Sequence, residues 1–134
     1  MSDSEPSYQI GSSIPVVRML EEADSKAFYL DYLGYSIDWE HRFGDNSPLY
    51  MQIRLGDSVI HLDGHANEDS PTVEVRVPVV GIDEFCADLQ SRAAKLGLEQ
   101  PVIVDPRYEG RGTDMNLLDP AGNIVVFWRR DELQ

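Results

Sequence analysis

Apolar and polar residues alternate along this chain with two periods, one strand-like and one helical, and the same succession occurs twice. Residues 14–19 are a short apolar strand bounded by Gly11-Ser12-Ser13 and by Glu21-Glu22. A helix is then expected from Asp24, with Ala27, Phe28 and Leu33 on or near one face. Gly34 suits a left-handed C-terminal cap. Residues 35–40 alternate apolar and polar, the period of a half-buried strand, and residues 48–55 repeat it. Gly56-Asp57 is a tight-turn signal, and residues 59–62 form the return strand. These elements make one βαβββ unit.

The second unit opens with a strand over residues 73–79. Ile82, Phe85, Cys86, Leu89, Ala93 and Leu96 fall at helical spacing, with Asp83, Asp88, Arg92 and Lys95 filling the other face. Leu96-Gly97 repeats Leu33-Gly34. Residues 102–104 and 115–118 read as strands separated by a loop through Gly110 and Gly112. Asp119-Pro120-Ala121-Gly122-Asn123 is a turn, because Pro120 presets φ and Gly122 and Asn123 tolerate left-handed backbone. A strand over residues 124–128 closes the unit. The expected organisation is a disordered tail over 1–12, a first module over 13–66, a polar crossing over 67–72 and a second module over 73–130. Two paired βαβββ modules would be an α+β fold that builds a cleft between them, so function turns on what lines that cleft.

Charge narrows the occupants. Eleven Lys and Arg stand against 24 Asp and Glu, a net charge of −13. Phosphate backbones and anionic membranes need a positive field, so nucleic acid and membrane partners are not expected. A cationic ligand would be attracted. No apolar run approaches the roughly 20 residues that span a bilayer, and the acidic start lacks a basic or apolar leader, which points to a cytoplasmic protein. The single cysteine, Cys86, sits inside the helical pattern and reads as a small buried hydrophobe. Serines are scattered without a nucleophile elbow, and Gly110-Arg111-Gly112 is too short for a phosphate loop.

Several motifs carry a resemblance. Phe28-Tyr29 ahead of Leu33-Gly34-Tyr35, and the 119–123 turn before the last strand, are its most specific pieces. With them, residues 14–128 resemble the vicinal oxygen chelate superfamily, which includes glyoxalase I, ring-cleaving dioxygenases and fosfomycin and bleomycin resistance proteins. Trp39-Glu40-His41-Arg42-Phe43, Leu49-Tyr50-Met51-Gln52 and Ile60-His61-Leu62 look most like its glyoxalase-like bleomycin resistance group. The resemblance implies the glyoxalase/bleomycin resistance fold, with two βαβββ modules forming a curved mixed sheet around a cleft, a homodimer, and antibiotic binding and resistance without catalysis.

It also implies a ligand set for metal-using members, one residue on each of four strands. Here those positions are Ile14, His61, Glu74 and Val126, and two of them have no lone pair to give. A catalytic divalent ion normally keeps three protein ligands, so no cofactor is expected. The alternative is one divalent ion on His61 and Glu74, with His41 or His65 as a third ligand, serving a lyase, isomerase or dioxygenase. Otherwise His61 is a hydrogen-bonding residue of the cleft, and Glu74 lines the cleft or pairs with Arg76. The positions matching the resistance group's ligand contacts are Asp38, Trp39, Phe43, Asp63 and Gly122. Trp39 and Phe43 would stack on a planar ring while Asp38 and Asp63 meet a cationic tail. Arg111-Gly112 stands where the group often has Trp-Gly, so either Tyr108 or the Arg111 guanidinium plane replaces that ring, or the ligand differs. A third possibility is a structural or regulatory dimer with no small ligand.

Overall fold

A computed structural model describes residues 7–104 and 112–130. It is an α+β fold with two mixed sheets. The first half runs β1 (Val16–Arg18), α1 (Glu22–Lys26), a π-helical stretch (Ala27–Tyr32), β2 (Ser36–Arg42), β3 (Leu49–Leu55) and β4 (Ser58–Asp63). Its four strands lie in the order β1-β4-β3-β2, with β1 parallel to β4 and the rest antiparallel. The second half runs β5 (Glu74–Val79), α2 (Ile82–Leu96), β6 (Asp114–Leu118) and β7 (Ile124–Arg129), in a sheet ordered β5-β7-β6. No helix among the described residues is long and apolar enough to cross a membrane.

Two local expectations are corrected. The first helix begins at Glu22 rather than Asp24, because extended Glu21 already accepts the Ser25 N–H at 3.0 Å and the acidic Glu22 and Asp24 suit a first turn. It then widens. The Leu33 N–H reaches back to Phe28 O at 3.0 Å, and the Tyr35 N–H to Tyr29 O at 2.9 Å across Gly34, whose φ is +94°. The wide turn buries Tyr29, Tyr32 and Leu33 together. Residues 102–104 do not form a strand. Only Val104 pairs, in an isolated antiparallel bridge to Asp114. Pro101 has no N–H for a ladder, and its carbonyl is turned to the Gln90 amide at 3.0 Å.

The strands of each sheet bury one face. Val17, Leu49, Met51, Ile53, Ile60 and Leu62 join Tyr29, Tyr32, Leu33 and Tyr35 on the inner side of the first sheet. Val75, Met115, Leu117, Val125 and Phe127 join Ile82, Cys86, Leu89 and Ala93 of α2 on the inner side of the second, and both groups belong to one apolar cluster. Arg92 of α2 caps the π stretch by donating to Tyr32 O at 2.9 Å.

The 119–123 turn ties the halves by polar contacts. Asp119 Oδ1 accepts the N–H groups of Ala121 and Asn123 at 2.9 and 2.8 Å, while Oδ2 accepts Tyr29 Oη–H at 2.7 Å and Asn123 Nδ2–H at 2.8 Å. Asn123 also donates to Arg18 O at 3.0 Å and accepts the Val73 N–H at 3.1 Å. Arg18 in turn donates to Ala121 O at 2.8 Å and to the carbonyls of Glu68 and Ser70. Asp119 and Asn123 are buried, so their full pairing keeps this network from being a liability.

Candidate functional site

The first sheet leaves its other face open, and that face carries the chemistry. Every residue of β2 is exposed. Alternation along β3 and β4 sends Tyr50, Gln52, Arg54, His61 and Asp63 to the side opposite Met51, Ile53, Ile60 and Leu62. A register shift in β2 between Ile37 and Trp39 lets both Asp38 and Trp39 address this side, although they are sequence neighbours.

Six rings gather there. Trp39 stacks on Tyr50 with centroids 6.1 Å apart and planes 15° from parallel. His61 stands edge-on to both, 5.3 Å from each. Phe43, 74% exposed, packs 4.4 Å from His41 and 5.5 Å from His65. The two trios adjoin, since Tyr50 lies between His41 and Asp63 in the strand register. Trp39 remains 41% exposed, so a ring face is still available to a partner.

Polar atoms bind the rings in place. Tyr50 Oη lies 2.8 Å from His61 Nδ1, and His61 Nε2 lies 2.8 Å from Gln52 Oε1. Gln52 Nε2 donates to Asp38 Oδ2 at 2.7 Å, and Arg54 Nε donates to the same oxygen at 3.1 Å. The Gln52 amide, with the Arg54 guanidinium beside it, holds the Asp38 carboxyl below the usual carboxylate range. Burial, then the charge of Asp63, pushes the Tyr50 hydroxyl up. Asp63 Oδ1 accepts the His65 N–H at 2.9 Å and lies 3.3 Å from His65 Nδ1.

The structure thus brings Asp38, Trp39, Phe43, His61 and Asp63 onto one face. Gly122 is elsewhere: with φ +90° it sits in the buried turn beside Thr72 and Arg18. Its backbone geometry serves the joint between the halves. Tyr108 and Arg111 lie outside the described residues. Tyr50, Gln52 and Arg54 were not among the sequence candidates. The alternation over residues 48–55 already placed them opposite Met51 and Ile53, so the signal was present in the strand pattern itself.

The metal positions do not fit an ion. Ile14 and Val126 carry no donor, and Glu74 Oε2 lies 3.4 Å from Arg76 Nη1. Both ring nitrogens of His61 are engaged, so binding an ion would break one of those bonds. Among the described residues no group of three or more His, Cys, Asp and Glu could hold a metal.

A groove of about 690 Å³ lies between β5 and the β3–β4 turn. Leu55, Val75, Val77, Phe85 and Phe127 line it with Asp57, Arg76 and Arg130. It holds none of the sequence-derived ligand contacts. We place the candidate site on the open face, where rings, acids and a connected hydrogen-bond chain coincide.

Known proteins fit this architecture. A family model described as glyoxalase superfamily protein matches residues 5–133. No curated protein matches the sequence. Among solved structures, TnmS3, an antibiotic binding protein from Streptomyces sp. CB03234, superposes with a TM-score of 0.62 at 17% identity, covering 91% of this chain and 98% of that one. A bleomycin-binding protein complexed with bleomycin gives 0.61 at 18%, covering 90% and 99%. A bleomycin resistance determinant encoded on the transposon Tn5 gives 0.61 at 18%, covering 92% and 100%.

Proposed function

The chain belongs to the glyoxalase superfamily, and from that premise we propose that it is a bleomycin-resistance-type protein, binding and sequestering a small aromatic or cationic antibiotic-like compound without catalysis. One observation carries the reading: Trp39, Tyr50 and His61 form a half-exposed ring platform with Asp38 and Asp63 beside it. A planar ligand gains from stacking, and each well-placed ring contact is worth about 0.5–1.5 kcal/mol beyond the area buried. The net charge of −13 raises the local concentration of a cation. Neighbours of the same fold include a protein that binds bleomycin and one that binds an antibiotic, which favours this ligand class.

The face is wide open in one chain, and a site that holds a drug-sized molecule buries most of it. We therefore take the working form to be a homodimer in which a second copy helps to close the platform. The metal-dependent lyase, isomerase or dioxygenase reading is disfavoured by the engaged nitrogens of His61 and the Glu74–Arg76 pair.

Isothermal titration of the full chain with bleomycin, and with a panel of cationic planar dyes, tests the proposal. Binding is expected with the compound recovered unchanged and with no requirement for added metal. Failure of every compound to bind, together with no protection of sensitive cells, would remove it. Conversion of a bound compound that stops on chelation and returns with a divalent ion would favour the enzyme.

A further inference from the structure

The hydrogen-bond chain beneath the platform has a direction, and that direction fixes what the platform can accept. Asp38 Oδ2 receives both Gln52 Nε2 at 2.7 Å and Arg54 Nε at 3.1 Å. A carboxylate only accepts, and a guanidinium only donates. The Gln52 amide is therefore held with its NH2 toward Asp38 and its Oε1 toward His61. An amide oxygen also only accepts, so His61 Nε2, 2.8 Å away, carries the proton. In the neutral ring Nδ1 is then a bare lone pair, and Tyr50 Oη at 2.8 Å must donate to it. The one hydroxyl proton of Tyr50 is spent inward, which leaves its oxygen with lone pairs only.

We propose that Asp38 sets the His61 tautomer and, through it, makes Tyr50 a pure hydrogen-bond acceptor, so that this site selects ring ligands bearing an N–H donor. This rests on the reading of the open face as a ring-binding platform and names the polarity of its ligand. Asp38 is thus a positioning residue that acts through Gln52 and His61, where the sequence suggested a direct contact. Asp63, opposite Tyr50 in the register, adds a further acceptor on the same face. A heteroaromatic N–H or a protonated amine meets an acceptor there. A ring presenting only lone pairs meets repulsion.

Long-range proton–nitrogen NMR correlation on the 15N-labelled full chain at pH 8 reads the tautomer directly. The Nε2–H pattern is expected for His61 in the parent and in Asp38→Asn, whose side-chain carbonyl still accepts from Gln52 and Arg54. Asp38→Ala frees the Gln52 amide to turn over, and a mixture of tautomers is expected. An Nδ1–H pattern in the parent, or an unchanged pattern in Asp38→Ala, would overturn the proposal. Ligand polarity is read with indole and benzofuran, which share shape and differ in the N–H, by titrating each and following the Trp39 indole resonance. Indole is expected to bind at least threefold tighter, and Tyr50→Phe to shrink the difference. Equal affinities in the parent would overturn the polarity inference alone. If neither ring perturbs Trp39, the platform itself is not a ring-binding site, and the ligand preference falls with it.

Discussion

Trp39 and Asn123 show how much a single side chain can decide here, one through exposure and the other through burial. Trp39 presents its free side to solvent while stacked on Tyr50, so truncation removes an exposed ring and leaves the sheet's inner face untouched. Trp39→Ala should weaken a planar ligand about tenfold, the equivalent of about 1.4 kcal/mol, with little change in melting temperature. Calorimetric titration beside thermal unfolding checks both halves of that expectation. Asn123 is the opposite case. It is fully buried and bonds Asp119, Arg18 and Val73 at once. Asn123→Ala leaves several buried groups without partners, at about 1–3 kcal/mol for each group left unsatisfied. Denaturant unfolding should show a loss of several kcal/mol. An Asn123→Ala protein of parental stability would mean that the 119–123 network is not what joins the halves.

At the scale of elements, Gly64 is the most crowded glycine of the first half. It follows β4, and its N–H donates to Leu49 O at 2.8 Å. A Cβ there would collide with that same oxygen and lie 3.3 Å from the Met19 side chain. Gly64→Ala must push β3 and β4 apart at the end where Tyr50 and Asp63 face each other, so stability and ring binding should fall together. A destabilisation of about 2 kcal/mol or more is expected from overpacking against backbone. If urea unfolding and ligand affinity are both unchanged, the Gly64–Leu49 contact does not hold this corner together.

Elements with a clean period were legible from the sequence. The helix over Ile82–Leu96 has regular apolar spacing between two glycines of positive φ, and alternation located β3 and β4. The π stretch was not legible, because Phe28, Tyr29, Tyr32 and Leu33 fit an ordinary helix nearly as well, and only the tertiary contacts of Tyr29 and the Arg92 cap favour the wider turn. Residues 102–104 look like a strand by composition, yet Pro101 and the Val104–Asp114 bridge leave room for one pair. For the site, the motif around Trp39 and His61 marked the face. The register shift in β2, which brings Asp38 into the Gln52–His61–Tyr50 chain, depends on a bulge that no local pattern announces.

Across the whole molecule, the buried tyrosines make the fold sensitive to alkali in a way that net charge compounds. Tyr29 and Tyr35 sit edge-to-face, 6.1 Å apart, in the core that spans both halves. Burial, with the neighbouring Asp119 charge and hydrogen bond, drives the Tyr29 hydroxyl far above its ordinary value of 10.0. Burial pushes Tyr35 up to about 12, although its hydrogen bond with Ser58 acts in the other direction. Between pH 10 and 12 the unfolded chain has released these protons while the folded chain still holds them. Stability is therefore fully present below pH 10 and falls as pH rises, by about 1.4 kcal/mol per pH unit for each such group. The ionising phenols also add to a charge that is already −13 at neutrality, so self-repulsion acts in the same sense and is weakened by salt. Unfolding followed from pH 8 to 12 should show a steep loss above pH 10, and Tyr35→Phe should flatten the slope by removing one linked proton. If the slope instead responds to salt alone and not to Tyr35→Phe, repulsion between surface carboxylates governs alkaline stability, and the core phenols do not.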